Sequence, residues 1–154
     1  MIAVLQRIRH ARVKADGVES GSCEHGLLIL LGVSVEDSME DVRLLADKIP
    51  RLRIFCDEPG KMNISLLDVG GGALIVSNFT LLANYSHGNR PDYLAAARPE
   101  QAVPLYEAFV EAIRAQGIPV SCGVFGADMQ IDMQADGPVT IVMDSEKLKR
   151  GRGK

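Results

Sequence analysis

Three stretches of this chain place polar or reactive groups where their surroundings are apolar or tightly turned. In "ALIVSNFTLLAN" (73–84), the apolar run Ala73–Val76 is interrupted by Ser77, Asn78, Phe79 and Thr80 before Leu81–Ala83 resume it. Two hydroxyls and an amide beside one ring can donate and accept hydrogen bonds. They either close a strand end by bonding the local backbone or act on something else. A hydroxyl nucleophile would need a histidine oriented by an acid, and spacing alone cannot show one. In "ADGPVT" (135–140), Asp136-Gly137-Pro138 reads as a turn before a strand. Its Gly-Pro bond can take the cis form that only proline reaches readily. The third region comprises two loops, Gly60-Lys61-Met62-Asn63 and Gly88-Asn89-Arg90-Pro91.

Several chemistries are absent from the sequence. There is no G-x-x-x-x-G-K-[ST], no G-x-G-x-x-G after a strand, no H-E-x-x-H and no G-x-S-x-G. His10, His25 and His87 have no carboxylate or cysteine at a metal-ligand spacing and are expected on the surface or in loops. Cys23, Cys56 and Cys122 are odd in number, far apart and without a C-x-x-C, so neither a disulfide framework nor a zinc site is expected. No metal and no cofactor is expected. Unpaired cysteines, with an N-terminus that lacks a basic segment and cleavage site, imply a cytoplasmic protein without a signal peptide. No apolar run approaches the roughly 18 residues of a membrane span.

The 154 residues, 47% hydrophobic and 24% charged, suit one globular domain with a core of its own. A net charge of −3 argues against indiscriminate binding to nucleic-acid phosphate, though not against a local basic patch. Residues 147–154 hold five of the seventeen basic side chains and read as a flexible tail beyond a domain of residues 1–146. Such a tail could touch phosphate through charge alone.

The elements that must position these groups follow from periodicity. Residues 2–8 and 11–16 read as strands joined by a turn at Arg9-His10, with a hairpin signal at Asp16-Gly17. "GLLILLGV" (26–33) is a strand buried on both faces. A first helix begins at Asp37 or Ser38, with Glu40 completing a capping box, and buries Met39, Val42, Leu45, Ala46 and Ile49 before Pro50 ends it. Leu52–Cys56 returns to strand, and Ile64–Leu67 is a candidate partner for the opening stretch. A second helix runs from about Glu100 to Gln116 on Leu105, Phe109, Ala112 and Ile113. Strands at 120–125, 129–133 and 139–143 close the chain. This is a mixed α/β fold with a curved, barrel-like β-sheet and two main helices.

Together these stretches, in this order, resemble the D-aminoacyl-tRNA deacylase family over essentially the whole chain. The likeness runs through "VLQRIRHARV", "GLLILLGV", "LRIFCDEPGKMNISLLDV", "VSNFTLLAN", "GNRP", "LYEAFV", "CGVFGADM" and "DGPVTIVMDS". It implies a homodimeric hydrolase that removes D-amino acids from tRNA, with the active site at the dimer interface, and it extends to glycyl-tRNA as a further substrate. Ser77, Phe79 and Thr80 match the family signature S-Q-F-T, and Gly137, Pro138, Val139 and Thr140 match N-x-G-P-V-T. By this likeness Gly137-Pro138 is cis, enters the neighbouring subunit's pocket as a chiral gate, and is held by Arg7. Phe125, Gly126, Ala127 and Met129 match the segment around the terminal adenosine.

Asn78 stands in place of the family glutamine and Ala135 in place of the asparagine. Asn84 and His87 stand where aspartate and lysine are common. These departures keep open a related editing deacylase acting on L-alanyl or glycyl esters. A non-catalytic tRNA-binding protein is the remaining alternative. Lys61, Arg90 and the tail are candidate phosphate contacts.

Overall fold

The computed structural model describes residues 1–152. Its strands are β1 (Ile2–Ala15), β2 (Val18–Cys23), β3 (Gly26–Gly32), β4 (Phe55–Cys56), β5 (Met62–Ile64), β6 (Gly72–Ser77), β7 (Val120–Cys122) and β8 (Met129–Asp144). Its helices are α1 (Met39–Lys48), α2 (Leu66–Val69), α3 (Pro99–Arg114) and α4 (Ser145–Arg152).

β1 organises the sheet. It is one long strand, not two, and pairs antiparallel with β3 along its first half and β2 along its second. The turn expected at Arg9-His10 is instead an irregularity in the β1–β8 ladder, where the register shifts between Gln6 and Ile8 and again between Ile8 and His10. Burial alternates along β1 except there, where Arg7 and Ile8 are both buried and Arg9 and His10 are both exposed. That broken alternation resembles a strand end in sequence. The expected turn at Asp16-Gly17 is present, both residues having positive φ as a tight hairpin requires.

β3 and β6 lie parallel at the centre, followed by β7 in the order β2-β1-β3-β6-β7. The curvature brings β2 round to β7. A Cβ at Gly21 would sit 2.6 Å from the Cys122 carbonyl oxygen, so only glycine permits that approach. The sheet is thus nearly closed, as the sequence predicts. One core lies under the helices, where Leu5, Leu27, Ile29 and Ile75 meet Val42, Leu45, Phe109 and Ile113. A second, smaller one gathers Ile8, Val13, Leu28 and Leu74. β3 faces both, which is why its run is unbroken.

α1 is capped by Ser38, whose box partner is Asp41 rather than Glu40. Met39 is exposed, while Val42, Leu45 and Ala46 are buried as expected. Pro50 lies in a 3-10 turn, Ile49–Arg51, that ends the helix. Residues 64–67 do not join the opening strand: Met62–Ile64 pairs with β4, and Ser65 caps α2 with Asp68. A serine followed three residues later by aspartate starts a helix more strongly than the short apolar run extends a strand.

At the other end, β8 is one 16-residue strand where two were expected. Residues 147–152, expected as a flexible tail, form most of α4. Leu148 packs on the main core, and Lys149 reaches Asp41 at 2.7 Å. Residues 153–154 lie outside the described part. Among the described residues, no helix is long and apolar enough to cross a membrane.

Candidate active site

β6 carries the chain through the core to Ser77, where the sheet ends. Asn78 then leaves the strand, its N–H bonded to the Leu31 carbonyl at 2.8 Å, and Phe79–Leu82 make a 3-10 turn. The apolar segment stops here because these residues border a cleft of about 470 Å³. Ser77, Asn78, Phe79 and Thr80 line one side. Phe125, Gly126 and Ala127, from the β7–β8 connection, and Met129, which opens β8, line another. The two stretches lie some fifty residues apart in sequence, and parallel pairing of β6 with β7 brings their ends together.

Within the cleft the Thr80 hydroxyl donates to the Asn78 side-chain oxygen at 2.5 Å. This bond directs Thr80's only proton at Asn78 and leaves the hydroxyl's lone pairs free to accept. Asn78 contributes the only side-chain nitrogen among the lining residues. Phe79 is 58% exposed and rests edge-on against Tyr93, with ring centroids 5.1 Å apart. Tyr106, buried, donates to the Ile75 carbonyl at 2.8 Å and meets Phe125 edge-on. Burial pushes its hydroxyl far above the ordinary tyrosine range, so it stays protonated and holds β6 to α3. Tyr93, Tyr106 and Asp128 were not singled out in the sequence. Tyr93 lies in no quoted motif, and Tyr106, although within "LYEAFV", occupies an ordinary position on the buried stripe of α3.

Arg7, Gly137 and Pro138 do not border this cleft. They form a second cluster at the β1–β8 irregularity. In that ladder Gln6 pairs with Thr140 and Ile8 with Ala135, so residues 136–139 stand opposite Arg7 alone. The Gly137-Pro138 peptide is cis, and both residues are exposed. Arg7 is buried. It donates through Nε to the Asp136 carbonyl at 3.1 Å and through Nη1 to the Ile54 carbonyl at 2.7 Å. A Cβ on Gly137 would lie 3.2 Å from Arg7 Nη2 and 3.0 Å from the Val139 backbone nitrogen, at a φ of +125° that side chains disfavour. Asp136-Gly137-Pro138 is therefore an outward bulge within β8 and not the turn before a strand that its sequence suggests.

The remaining candidates stand apart from both clusters. Lys61 and Arg90 are exposed and border no part of the cleft. All three histidines are exposed, and His87 bonds only its neighbour Ser86. Asn84 pairs with Asp92 to close the 84–92 loop. Among the described residues no group of His, Cys, Asp and Glu could hold a metal ion.

The family model described as D-Tyr-tRNA(Tyr) deacylase matches residues 4–144, which include both clusters. The chain belongs to that family. It is 57% identical over 152 residues to the D-aminoacyl-tRNA deacylase of Chloroflexus aurantiacus, covering 99% of this chain and 95% of that one. It is 55% identical to the D-aminoacyl-tRNA deacylase of Deinococcus deserti, covering 94% and 99% respectively. Among solved structures, "c-Myc DNA Unwinding Element Binding Protein" superposes with a TM-score of 0.87 at 38% identity, covering 94% of this chain and 98% of its own. The matched range includes both stretches that line the cleft, 77–80 and 125–129, and the bulge at 136–138 that lies outside it.

Proposed function

We propose that this chain hydrolyses the ester of D-aminoacyl-tRNA, releasing the free D-amino acid and tRNA. One observation carries the reading. In a member of the deacylase family, the stretches 77–80 and 125–129 border a single cleft with Phe79 and Thr80 exposed at its rim. The substrate is an activated ester, so positioning and charge stabilisation can supply most of the rate. Water adds to the carbonyl carbon, the bond to the terminal ribose oxygen breaks, and a proton from the water ends on that oxygen. The N–H groups of Phe79 and Thr80 begin the 3-10 turn and so lack partners within it. They are the donors for the developing oxyanion. Thr80 gives its proton to an amide oxygen, which is no base, and serves here as a positioning acceptor with the ribose 2′-hydroxyl assisting.

The same reading makes the active form a homodimer in the cytoplasm. Gly137 and Pro138 are exposed and lie outside their own chain's cleft, as a gate serving a neighbouring subunit would. β8 pairs only with β1 among the described strands, leaving an edge with Met133 and Val142 exposed along it. In the dimer, Gly137-Pro138 of one chain faces Ser77–Thr80 of the other. Its carbonyls accept the D-substrate's ammonium while L side chains clash. The cleft takes the 3′ end of tRNA, with Phe125–Met129 around the terminal adenosine.

The test is release of amino acid from tRNA charged with D-tyrosine, D-aspartate, L-tyrosine or glycine, by protein whose mass in solution is measured in parallel. Rapid release from D-esters without added metal is expected. A pure dimer that leaves D-esters intact overturns the activity, and if it still binds the tRNA the non-catalytic reading takes over. Asn78 and Ala135 favour a second reading, an editing deacylase for glycyl or L-alanyl esters, which the same panel extended to L-alanine would show as a reversed order of rates.

A further inference from the structure

Arg7 is a fixed point in the β1–β8 irregularity, but one guanidinium cannot by itself determine how four bulged residues are arranged. Asp136 is the residue through which Arg7 grips them, and it is gripped twice. Its backbone carbonyl accepts from Arg7 Nε at 3.1 Å, and its carboxylate Oδ2 stands 3.3 Å from the same Nε. The other carboxylate oxygen lies 3.4 Å from Arg9 Nη2. The Asp136 side chain is three-quarters buried, whereas that of Arg9 is 66% exposed. Arg7 is in turn tied to the Ile54 carbonyl beside β4. The path runs from Ile54 through Arg7 to the Asp136-Gly137 peptide, which leads into Gly137-Pro138. Turning the Asp136 carbonyl inward sets the plane of the next peptide, and no ladder bond between Asp136 and Val139 competes to set it otherwise.

The geometry points to Asp136 as a specificity-determining positioning residue: its carboxylate, clamped between Arg7 and Arg9, fixes the orientation of Gly137-Pro138 and so the discrimination of D- from L-aminoacyl esters. This rests on the deacylase reading above. The physical basis is stiffness. A gate that excludes one enantiomer must resist displacements of about 1 Å, the scale on which misplacement changes rates about a hundredfold. Two charged contacts on one side chain resist rotation about the bonds to Asp136 better than the single backbone hydrogen bond would. Asp136 touches no substrate in this scheme. Its loss therefore shows in selectivity before it shows in turnover of the preferred substrate.

The experiment compares wild type, Asp136→Asn, Asp136→Ala, Arg9→Gln and Arg7→Ala in full-length protein. The measurement is kcat/KM on D-tyrosyl-tRNA and L-tyrosyl-tRNA. Asp136→Ala is expected to lower the D-to-L ratio at least about tenfold, mainly by raising the L rate, with the D rate within about threefold of wild type. Asp136→Asn keeps the volume and the backbone bond and is expected to lower the ratio less, and Arg9→Gln least of all. Asparagine also keeps the variant set usable if alanine prevents folding. An unchanged ratio in both Asp136 variants, with Arg7→Ala lowering it, overturns the assignment. Equal falls in both rates also overturn it, because Asp136 would then support the fold in general. If Arg7→Ala leaves the ratio unchanged too, the gate itself fails. No D-ester hydrolysis by wild type marks failure of the underlying activity instead.

Discussion

Two polar clusters in this fold are built in opposite ways. Where α1 and α4 meet the start of β1, the Met1 ammonium is buried against Asp37 and donates to Ser145 Oγ at 2.8 Å. Ser145 donates to Asp41 at 2.6 Å, Ser38 caps α1 against Asp41, and Lys149 closes the group at 2.7 Å. Every charge is matched, and Asp41 is fully buried. At the cleft, the side chains of Thr80 and Asn78 satisfy one another once, and the rest of their side-chain hydrogen-bonding capacity has no partner among the described residues. The sealed cluster spends its polarity on holding three segments together, whereas the open one keeps polarity available. A buried charge that loses its partner is costly, while a rim hydroxyl can be removed at little cost to folding. Polar residues of similar type thus serve stability in one place and stay open to a ligand in the other.

The contrast breaks most sharply at Gly137, which is exposed and in the proposed dimer would face the open cluster of the neighbouring subunit. Gly137→Ala should lower D-tyrosyl-tRNA hydrolysis by about a hundredfold, because the new Cβ meets Arg7 and Val139 and the gate must shift. Steady-state kinetics beside a thermal melt will show activity lost with the fold retained. A comparable loss of both would dissolve the distinction.

Asp41→Ala is the converse. It should cost about 3 kcal/mol of stability by denaturant unfolding, since it removes the buried partner of Ser145, Lys149 and the α1 cap. Activity per folded molecule should stay near wild type. A stable Asp41→Ala protein would show that the sealed cluster is dispensable.

The same site sets an acid limit. Burial would raise the Asp41 carboxyl, but Lys149, Ser145 and the Ser38 N–H outweigh it and hold the group well below the ordinary carboxylate range. Its folded value lies below its unfolded one, so its contribution is complete above about pH 4 and fades as pH falls further. The melting temperature of wild type should drop below that pH, and Asp41→Asn should flatten the acid limb.

Thr80→Val is the mildest change. It removes the bond to Asn78 while keeping the branched shape, and should slow hydrolysis by about fivefold with an unchanged melting temperature. Loss of a thousandfold would restore Thr80 as a nucleophile.

Much of the fold was legible in residue patterns. The unbroken run of β3, the stripes of α1 and α3, the Asp16-Gly17 hairpin and the barrel-like sheet follow from periodicity and turn chemistry. The failures share one cause. Arg9-His10 looked like a turn, Asp136-Pro138 looked like a turn before a strand, and 64–67 looked like a partner for β1. In each case local pattern was read without knowing which residue would stand opposite. The first two are halves of one ladder irregularity, visible only when β1 and β8 are laid side by side. The basic residues after 146 looked like a tail because charge suggests solvent, yet Leu148 and Lys149 find a core contact and a buried carboxylate. At the cleft, Ser77–Thr80 and Phe125–Met129 follow from the family resemblance, whereas the packing of Phe79 on Tyr93 and the clamp on Asp136 do not, because each joins segments distant in sequence.

The sequence by itself determined the family, the strands and helices with strong periodicity, and the residues able to form a cleft, because side-chain chemistry and local backbone preference act over a few residues. Tertiary structure alone decided that Ser77–Thr80 and Phe125–Met129 border one cleft and that Asp136 lies between Arg7 and Arg9. Those facts depend on contacts between segments distant in sequence, and such contacts exist only once strand register and sheet closure bring the segments together.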